Sequence, residues 1–391
     1  MIANTIKLTT LLMVLVAAVL HHANASDAKS PIRIGVSLGL TGQYAKLATD
    51  FKRGYELWAN LVNQQGGILG RSVELIVRDD KSNNDIAKSI YTDFATSDEV
   101  DFILAPYSTA ITSAILPVTE QYGYPLLATG ASSDELWLRG YRHLFAISAP
   151  ASRHTTGFLY LLSEAKITRV AIVSADDGFS MSVGDGANKW SQDYGITVVS
   201  YQKIVKGTAD LTTQAETARN SGAEAIIMAG HFEESINMRK AMKKISWTPK
   251  AYFASIGPGL DSYYTTLGSD AEQAFTQSHW EVREDVQMPG AKEFIDAYAV
   301  VNKEKPSYYA ARAYVAGSIL EQAIKKAGTL DRKTVTETLF NLNTKTLLGR
   351  YLVDRTGAQT KSYAMIAQWQ NGKREIVWPE ELRTAKAIFT K

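Results

Sequence analysis

The sequence predicts an α/β protein built as two doubly wound lobes around parallel sheets. Three observations carry that expectation. Short apolar strands alternate with amphipathic segments of about 10–15 residues, the signature of parallel βαβ units. The alternation restarts near Arg169 with the same order of elements. No Pro- or Ser-rich linker separates the two runs, so several short crossings and a hinge are expected between them.

Taken in order, Ile32–Leu38 reads as the first strand, ending at Gly39 and Gly42. Gly54, Trp58, Leu61, Val62 and Gln65 fall at helical spacing, and Gly66-Gly67 stops that helix. Val73–Val77 is a second strand, and Ala87, Ile90, Tyr91, Phe94 and Ala95 form a helical apolar stripe. Phe102–Ala105 is a third strand, a helix covers about 109–122, and Pro125–Ala128 is a fourth strand. The second run begins with strand Arg169–Ser174, the loop Asp176-Asp177-Gly178 and a helix to about Tyr194. Strands are expected at Thr197–Ile204, Ala225–Met228 and Lys250–Ala254, with helices between them. Further on, Phe294 and Tyr298 mark one helix, and Gly317, Leu320, Ala323, Ile324 and Ala327 mark another, stopped by Gly328. Gly349–Val353 and Tyr363–Gln370 read as strands, with turns at 354–357 and at Asn371-Gly372.

Composition narrows the function. The chain has 391 residues, 45% apolar and 21% charged, with 42 Lys and Arg against 40 Asp and Glu. That is ordinary globular composition, and so even a balance argues against a nucleic-acid partner. There is no cysteine, which excludes disulfides, thiolate metal sites, a Cys nucleophile and a lipidated N-terminal Cys. Lys7, the apolar run 11–20 and Ala23-Asn24-Ala25 read as a secretory signal peptide over residues 1–25, cleaved after Ala25. The expected protein is periplasmic and not a lipoprotein.

Catalytic chemistry is missing. His143, His154, His231 and His279 lie far apart, without metal-ligand spacing. No nucleophile elbow, phosphate loop or dinucleotide fingerprint occurs. Ser-x-x-Lys at Ser163/Lys166 and Ser200/Lys203 has no Lys-Thr-Gly partner. No catalytic residue, metal or cofactor is expected.

Binding chemistry is present. Ligands of doubly wound sheets sit at the carboxyl ends of strands. There the first lobe offers Tyr107 and Ser108, then Gly130-Ala131-Ser132, each leading into a helix start whose free N–H groups attract an anion. Hydroxyls beside free amides suit a carboxylate without a fixed cation. Ser132 with Glu135 equally fits a capping box, and Ser108 equally fits a plain N-cap. The second lobe offers Asp177, Phe179, His231, Phe232 and Ile256, an aromatic and apolar mouth rather than a charged one. Phe179 and Phe232 serve equally as packing at the lobe edge.

At these residues the chain resembles the type I periplasmic binding proteins of the leucine/isoleucine/valine-binding family, which serve ABC importers. The resemblance covers nearly all of 31–391. It rests on Ile32-Arg33-Ile34-Gly35-Val36, Leu40-Thr41-Gly42, 63–70 with its Gly-Gly-Ile-x-Gly element, and Val77-Arg78-Asp79-Asp80. Pro106-Tyr107-Ser108, Gly130-Ala131-Ser132 and Leu348-Gly349 followed by 354–357 extend it.

The resemblance implies two lobes joined by three crossings that close on ligand. Lobe I would comprise 31–148 and 281–346, and lobe II 149–277 and 354–391, with crossings near 147–150, 276–281 and 347–353. Ser108 would match the family's carboxylate-binding serine, and Ala131 and Ser132 its Ala and Thr. Tyr44 and Leu47 fall in the first-loop segment that lines the pocket. Phe179 falls at a family Tyr, and His231 or Phe232 at another. Ile256 falls where amino-acid binders place an acid against the ammonium. An unpaired buried ammonium is costly, so the departures point to a hydrophobic acid lacking the amine, unless Asp177 or Asp261 substitutes. The implied protein is a monomer that delivers a small-molecule ligand to permease subunits in the inner membrane. A ligand sensor of the same fold, reporting to a membrane signalling partner, is the alternative.

Overall fold

The computed structural model describes residues 30–282 and 288–390. The leader expected over 1–25 lies outside the described residues. Strand β1 (Ile32–Leu38) is buried along nearly its whole length and sits in the middle of a parallel sheet of order β2-β1-β3, with β2 at Val73–Asp79 and β3 at Phe102–Ile103. Only two residues of the third strand are in the ladder, although Leu104 still donates its N–H to Gly35 O at 2.9 Å. The sheet's line continues through a parallel bridge from Tyr107 to Gly130 and on to the parallel pair β4 (Leu126–Ala128) and β5 (Leu144–Ala146).

Helices α1 (Ala45–Gln64), α2 (Asn84–Thr96), α3 (Thr109–Gln121) and the short α4 (Glu135–Leu138) belong to this first part. The chain then passes away into α5 (Thr156–Glu164) and a seven-stranded sheet. Its parallel members are β6 (Arg169–Ala175), β7 (Thr197–Ile204), β8 (Ala225–Ala229), β9 (Ala251–Ala254) and β10 (Ala274–Ser278). Between them run α6 (Gly178–Ser191), α7 (Thr212–Asn220), α8 (Phe232–Lys244) and α9 (Asp261–Leu267). The chain returns for α10 (Ala291–Asn302), α11 (Tyr308–Ala327), α12 (Arg332–Phe340) and the hairpin β11 (Thr344–Thr346) and β12 (Gly349–Tyr351). It crosses once more to close the large sheet with β13 (Met365–Gln370) and β14 (Lys373–Trp378), both antiparallel to their inner neighbours. The two lobes and three passages of the expected class are thus present, and the second sheet gains an antiparallel edge.

Strand periodicity explains the cores. Along β6, Ala171 and Val173 point to one face and Val170 and Ile172 to the other. The first face meets α7, α8 and α9 through Ala215, Met242 and Tyr263; the second meets α5 through Phe158 and Leu162. Both faces are covered, as a parallel sheet requires. In lobe I, α1 and α11 pack closely at Gly54, where an added Cβ would stand 2.2 Å from Ala310 O.

Strand order then locates the mouths. In the small sheet β1 has β2 on one side and β3 on the other; in the large one β6 has β7 and β8. Each is a switch point, where the loops after the two central strands diverge and leave a crevice. Those loops and the helix starts they lead into carry Tyr44, Tyr107 and Ser108 in lobe I, and Asp177, Phe179 and His231 in lobe II.

Candidate functional site

The two crevices face each other across one cavity of about 240 Å³. Lobe I lines it with Tyr44, Tyr107, Ser108 and Ser132, and with Tyr308, Tyr309 and Arg312 from the first turns of α11. Lobe II adds His154, Asp177, Phe179, Lys206, His231, Ile256 and Gln277. Of the residues singled out from sequence, Leu47 and Ala131 are instead buried in the lobe I core. Phe232 packs against the cores of both lobes beneath Lys46, whose Nζ lies 5.5 Å from its ring centre.

Ser108 is the N-cap of α3, and its Oγ accepts from Ile111 N–H at 3.3 Å. Its backbone sits at φ 95°, ψ 152°, a region that side chains other than glycine's rarely enter. The loop is held from behind by Tyr55 of α1, whose Oη lies 3.0 Å from Ala105 O and 2.8 Å from Thr129 Oγ1. Ser132 is not a cap. The N-cap of α4 is Asp134, whose carboxylate instead accepts from Ser152 N–H and Oγ across the first crossing. The Ser132 carbonyl accepts from Ala151 N–H at 2.7 Å, leaving its side chain on the cavity wall. The capping-box expectation is therefore replaced by an inter-lobe tie.

The second lobe's mouth is more polar than expected. Asp177 caps α6, and its carboxylate accepts from Phe179 N–H and Ser180 N–H, each at 3.2 Å. It also accepts from Ser180 Oγ at 2.6 Å and faces His231 Nε2 at 3.2 Å. Burial alone would raise this carboxyl, but the bonds from His231 and Ser180 outweigh it and hold the group well below the usual carboxylate range. Lys206 crosses the cleft, donating to Tyr44 Oη at 3.0 Å. Ile256 and Phe179 share a small apolar cluster with Ala151, Val183 and Ala229. Asp261 is elsewhere, paired with Arg374.

A fixed cation is present after all. Arg312 is 5% exposed; its Nη2 donates to Ser148 Oγ at 3.0 Å, and its Nε is buried with no partner. Among the described residues no carboxylate pairs with it. Behind it, His154 and His279 stack edge to face, ring centres 5.1 Å apart. His154 Nε2 donates to Ala149 O at 3.2 Å, so its Nδ1 is bare. Burial, with the Arg312 charge beside it, pushes His154 down to about 3; burial, Arg312 and His154 hold His279 well below its ordinary value. Both rings are neutral.

Sequence reasoning placed the helix around Gly317 and so missed the turns carrying Tyr308, Tyr309 and Arg312. A signal was there: from Tyr308 to Leu320, Arg312 is the sole charged residue in a largely apolar helical run. Such a charge needs a partner.

Residues 31–374 match the family described as "Periplasmic binding protein". This chain belongs to the periplasmic binding protein family. A similar relative, Leu/Ile/Val-binding protein homolog 7 of Brucella abortus, is 24% identical over 377 residues, covering 92% of this chain and 94% of that one. Among solved structures, a branched-chain amino acid transporter substrate binding protein of Streptococcus pneumoniae in complex with isoleucine superposes with a TM-score of 0.78. It is 22% identical and covers 92% of this chain and 100% of its own. A solute binding protein of R. palustris in complex with benzoate gives a TM-score of 0.77 at 16% identity, covering 91% of this chain and 99% of its own. These likenesses show the fold. Members of such a family bind solutes for transporters rather than catalyse reactions. Among the described residues there is no group of three or more His, Cys, Asp or Glu that could hold a metal ion.

Proposed function

We propose that this periplasmic binding protein captures a small hydrophobic carboxylate outside the cytoplasm and delivers it to the permease of an ABC importer. The observation that carries the reading is the shared cavity. A helix start with the Ser108 hydroxyl faces it from one lobe, and Phe179 and Ile256 face it from the other. A ligand held by both lobes favours the closed arrangement in proportion to its extra contacts there, which is what a permease can recognise. The carboxylate is an amino acid, branched or otherwise, or an aromatic or aliphatic acid. On this reading Ser108 and Ser132 grip the carboxylate, Tyr44 and Tyr107 wall it, and Phe179, His231 and Ile256 shape the far side. The lobes divide at the three crossings near 147–150, 276–281 and 347–353, and the protein works as a monomer released by cleavage after Ala25.

A titration-calorimetry panel of branched-chain and aromatic amino acids with their amine-free counterparts tests this. Micromolar or tighter binding by at least one, with a smaller radius of gyration in solution scattering, is the expected result. Uniform failure to bind would remove the carboxylate reading.

A further inference from the structure

Resting on the carboxylate reading above, we infer that Arg312 is the counter-ion of the bound ligand and restricts the cleft to carboxylic acids without an α-ammonium group. The cavity's inner charges can be accounted for one by one. Arg312 is a permanently charged guanidinium with no acid beside it, one bond to Ser148 Oγ and an orphaned Nε. The nearest groups of opposite tendency are the phenols of Tyr107, Tyr308 and Tyr309, which are buried and un-ionised. His154 and His279 are neutral. Lys206, a second cation on the cavity wall, is partly exposed and donates across the cleft to Tyr44 Oη at 3.0 Å. Glu135, half exposed at the rim, pairs with Arg139 at 3.1 Å. Asp177 already takes four donors, two on each oxygen. Arg312 is therefore the buried cation of the cleft that has no acid beside it and an N–H left open.

A buried charge without a partner is costly, and removing water from the closed cleft makes it more so. A monocarboxylate repays that cost by charge and by the bidentate geometry a guanidinium offers. An amino acid does not. Its zwitterion has no net charge to contribute, and its ammonium needs an anionic acceptor where Asp177 has no free lone pair. The acceptors still open are Gln277 Oε1 and His154 Nδ1, both buried and unpartnered. They are neutral, and suit a ligand hydroxyl rather than an ammonium.

The test pairs ligands and variants. The purified protein, unfolded and refolded to strip carried ligand, is titrated with 3-phenylpropionate against phenylalanine and with 4-methylpentanoate against leucine. The acid of each pair should bind tighter. Arg312→Met should weaken acid binding by about 30-fold to several thousand-fold, the usual range for losing one partner of a buried charge pair. Arg312→Lys should retain part of it. The ligand-free Arg312→Met protein should melt no lower than the parent, since the substitution removes an uncompensated charge. Unchanged acid affinity in Arg312→Met, or a lowered melting temperature in the ligand-free state, would make Arg312 a structural residue and overturn the inference. Tighter binding of both amino acids by the parent would overturn it while leaving the carboxylate cleft standing. Binding of none of the four would remove both readings.

Discussion

Ser108 carries a backbone cost and a functional group at the same position. Its φ of 95° is held in place by the loop and by the bond from Ile111 N–H. Such conformations cost about 1–3 kcal/mol and persist at sites where the geometry is used. Two substitutions separate the roles. Ser108→Ala keeps the strain and loses both the cap and the ligand's hydroxyl; calorimetry should show affinity down by about one to two decades. Its stability should fall by about 0.5–2 kcal/mol. Ser108→Gly loses the same hydroxyl but relaxes the backbone, so it should bind as weakly as the alanine variant and unfold at higher urea. If both variants bind as the parent does, the hydroxyl is a cap and nothing more.

Helix α11 does two jobs along its length. Its first turns bring Tyr308, Tyr309 and Arg312 to the cavity, and its later turns bury Leu320 and Ile324 in the lobe I core. Ser307 sets its start, accepting from Ala310 N–H at 3.2 Å and donating to Asp50 Oδ2 at 2.7 Å. Because α1 touches α11 at Gly54, backbone to backbone, a methyl group there has no room. Gly54→Ala should cost about 1–3 kcal/mol by overpacking, measured by urea unfolding. The displaced helix should also weaken ligand binding. Val300→Ala, on the exposed face of α10, is the control and should change stability by no more than about 0.5 kcal/mol.

Closure joins the lobes through few contacts. Lys206 meets Tyr44, Ser133 Oγ donates to Gly178 O at 2.9 Å, and Lys46 lies over Phe232. Lys206→Ala removes one of them and should lower affinity about two- to tenfold, by calorimetry, without altering the melting of the free protein. Acid acts on the crossings themselves. His154 and His279 flank them, face each other, Arg312 and Tyr308, and are held neutral when folded. Unfolded imidazoles take up protons below about pH 6.5. The unfolded state then binds more protons, so stability falls as pH drops from 6.5, for His154 until about 3. The slope should reach about 1.4 kcal/mol per pH unit for each ring. Urea unfolding at pH 7, 5 and 4 should show it, and a His154→Gln, His279→Gln double variant should flatten the dependence.

Local pattern was enough for much of this architecture. The alternation of strand and helix, the restart at Arg169 and the loops after β3, β4, β6, β8 and β9 follow from periodicity and from Gly and Pro punctuation, which act over a few residues. Hence Tyr107, Ser108, Ser132, Phe179, His231 and Ile256 could be placed at strand ends before any coordinates, the family resemblance added Tyr44, and the structure brings all seven to one cavity. Direction and partnership could not be read that way. Leu47, Ala131 and Phe232 lie in the same loops and helix starts, but packing turns them towards the cores. The antiparallel edge of β13 and β14 depends on which distant strand they join. Arg312 lies far along the chain from Ser108, on turns that were not recognised as helix, and it reaches the cleft because α11 packs across α1 at Gly54. A charge's missing counter-ion is a property of everything around it in space, so the cation that sets the character of this cleft emerges only when the chain is folded.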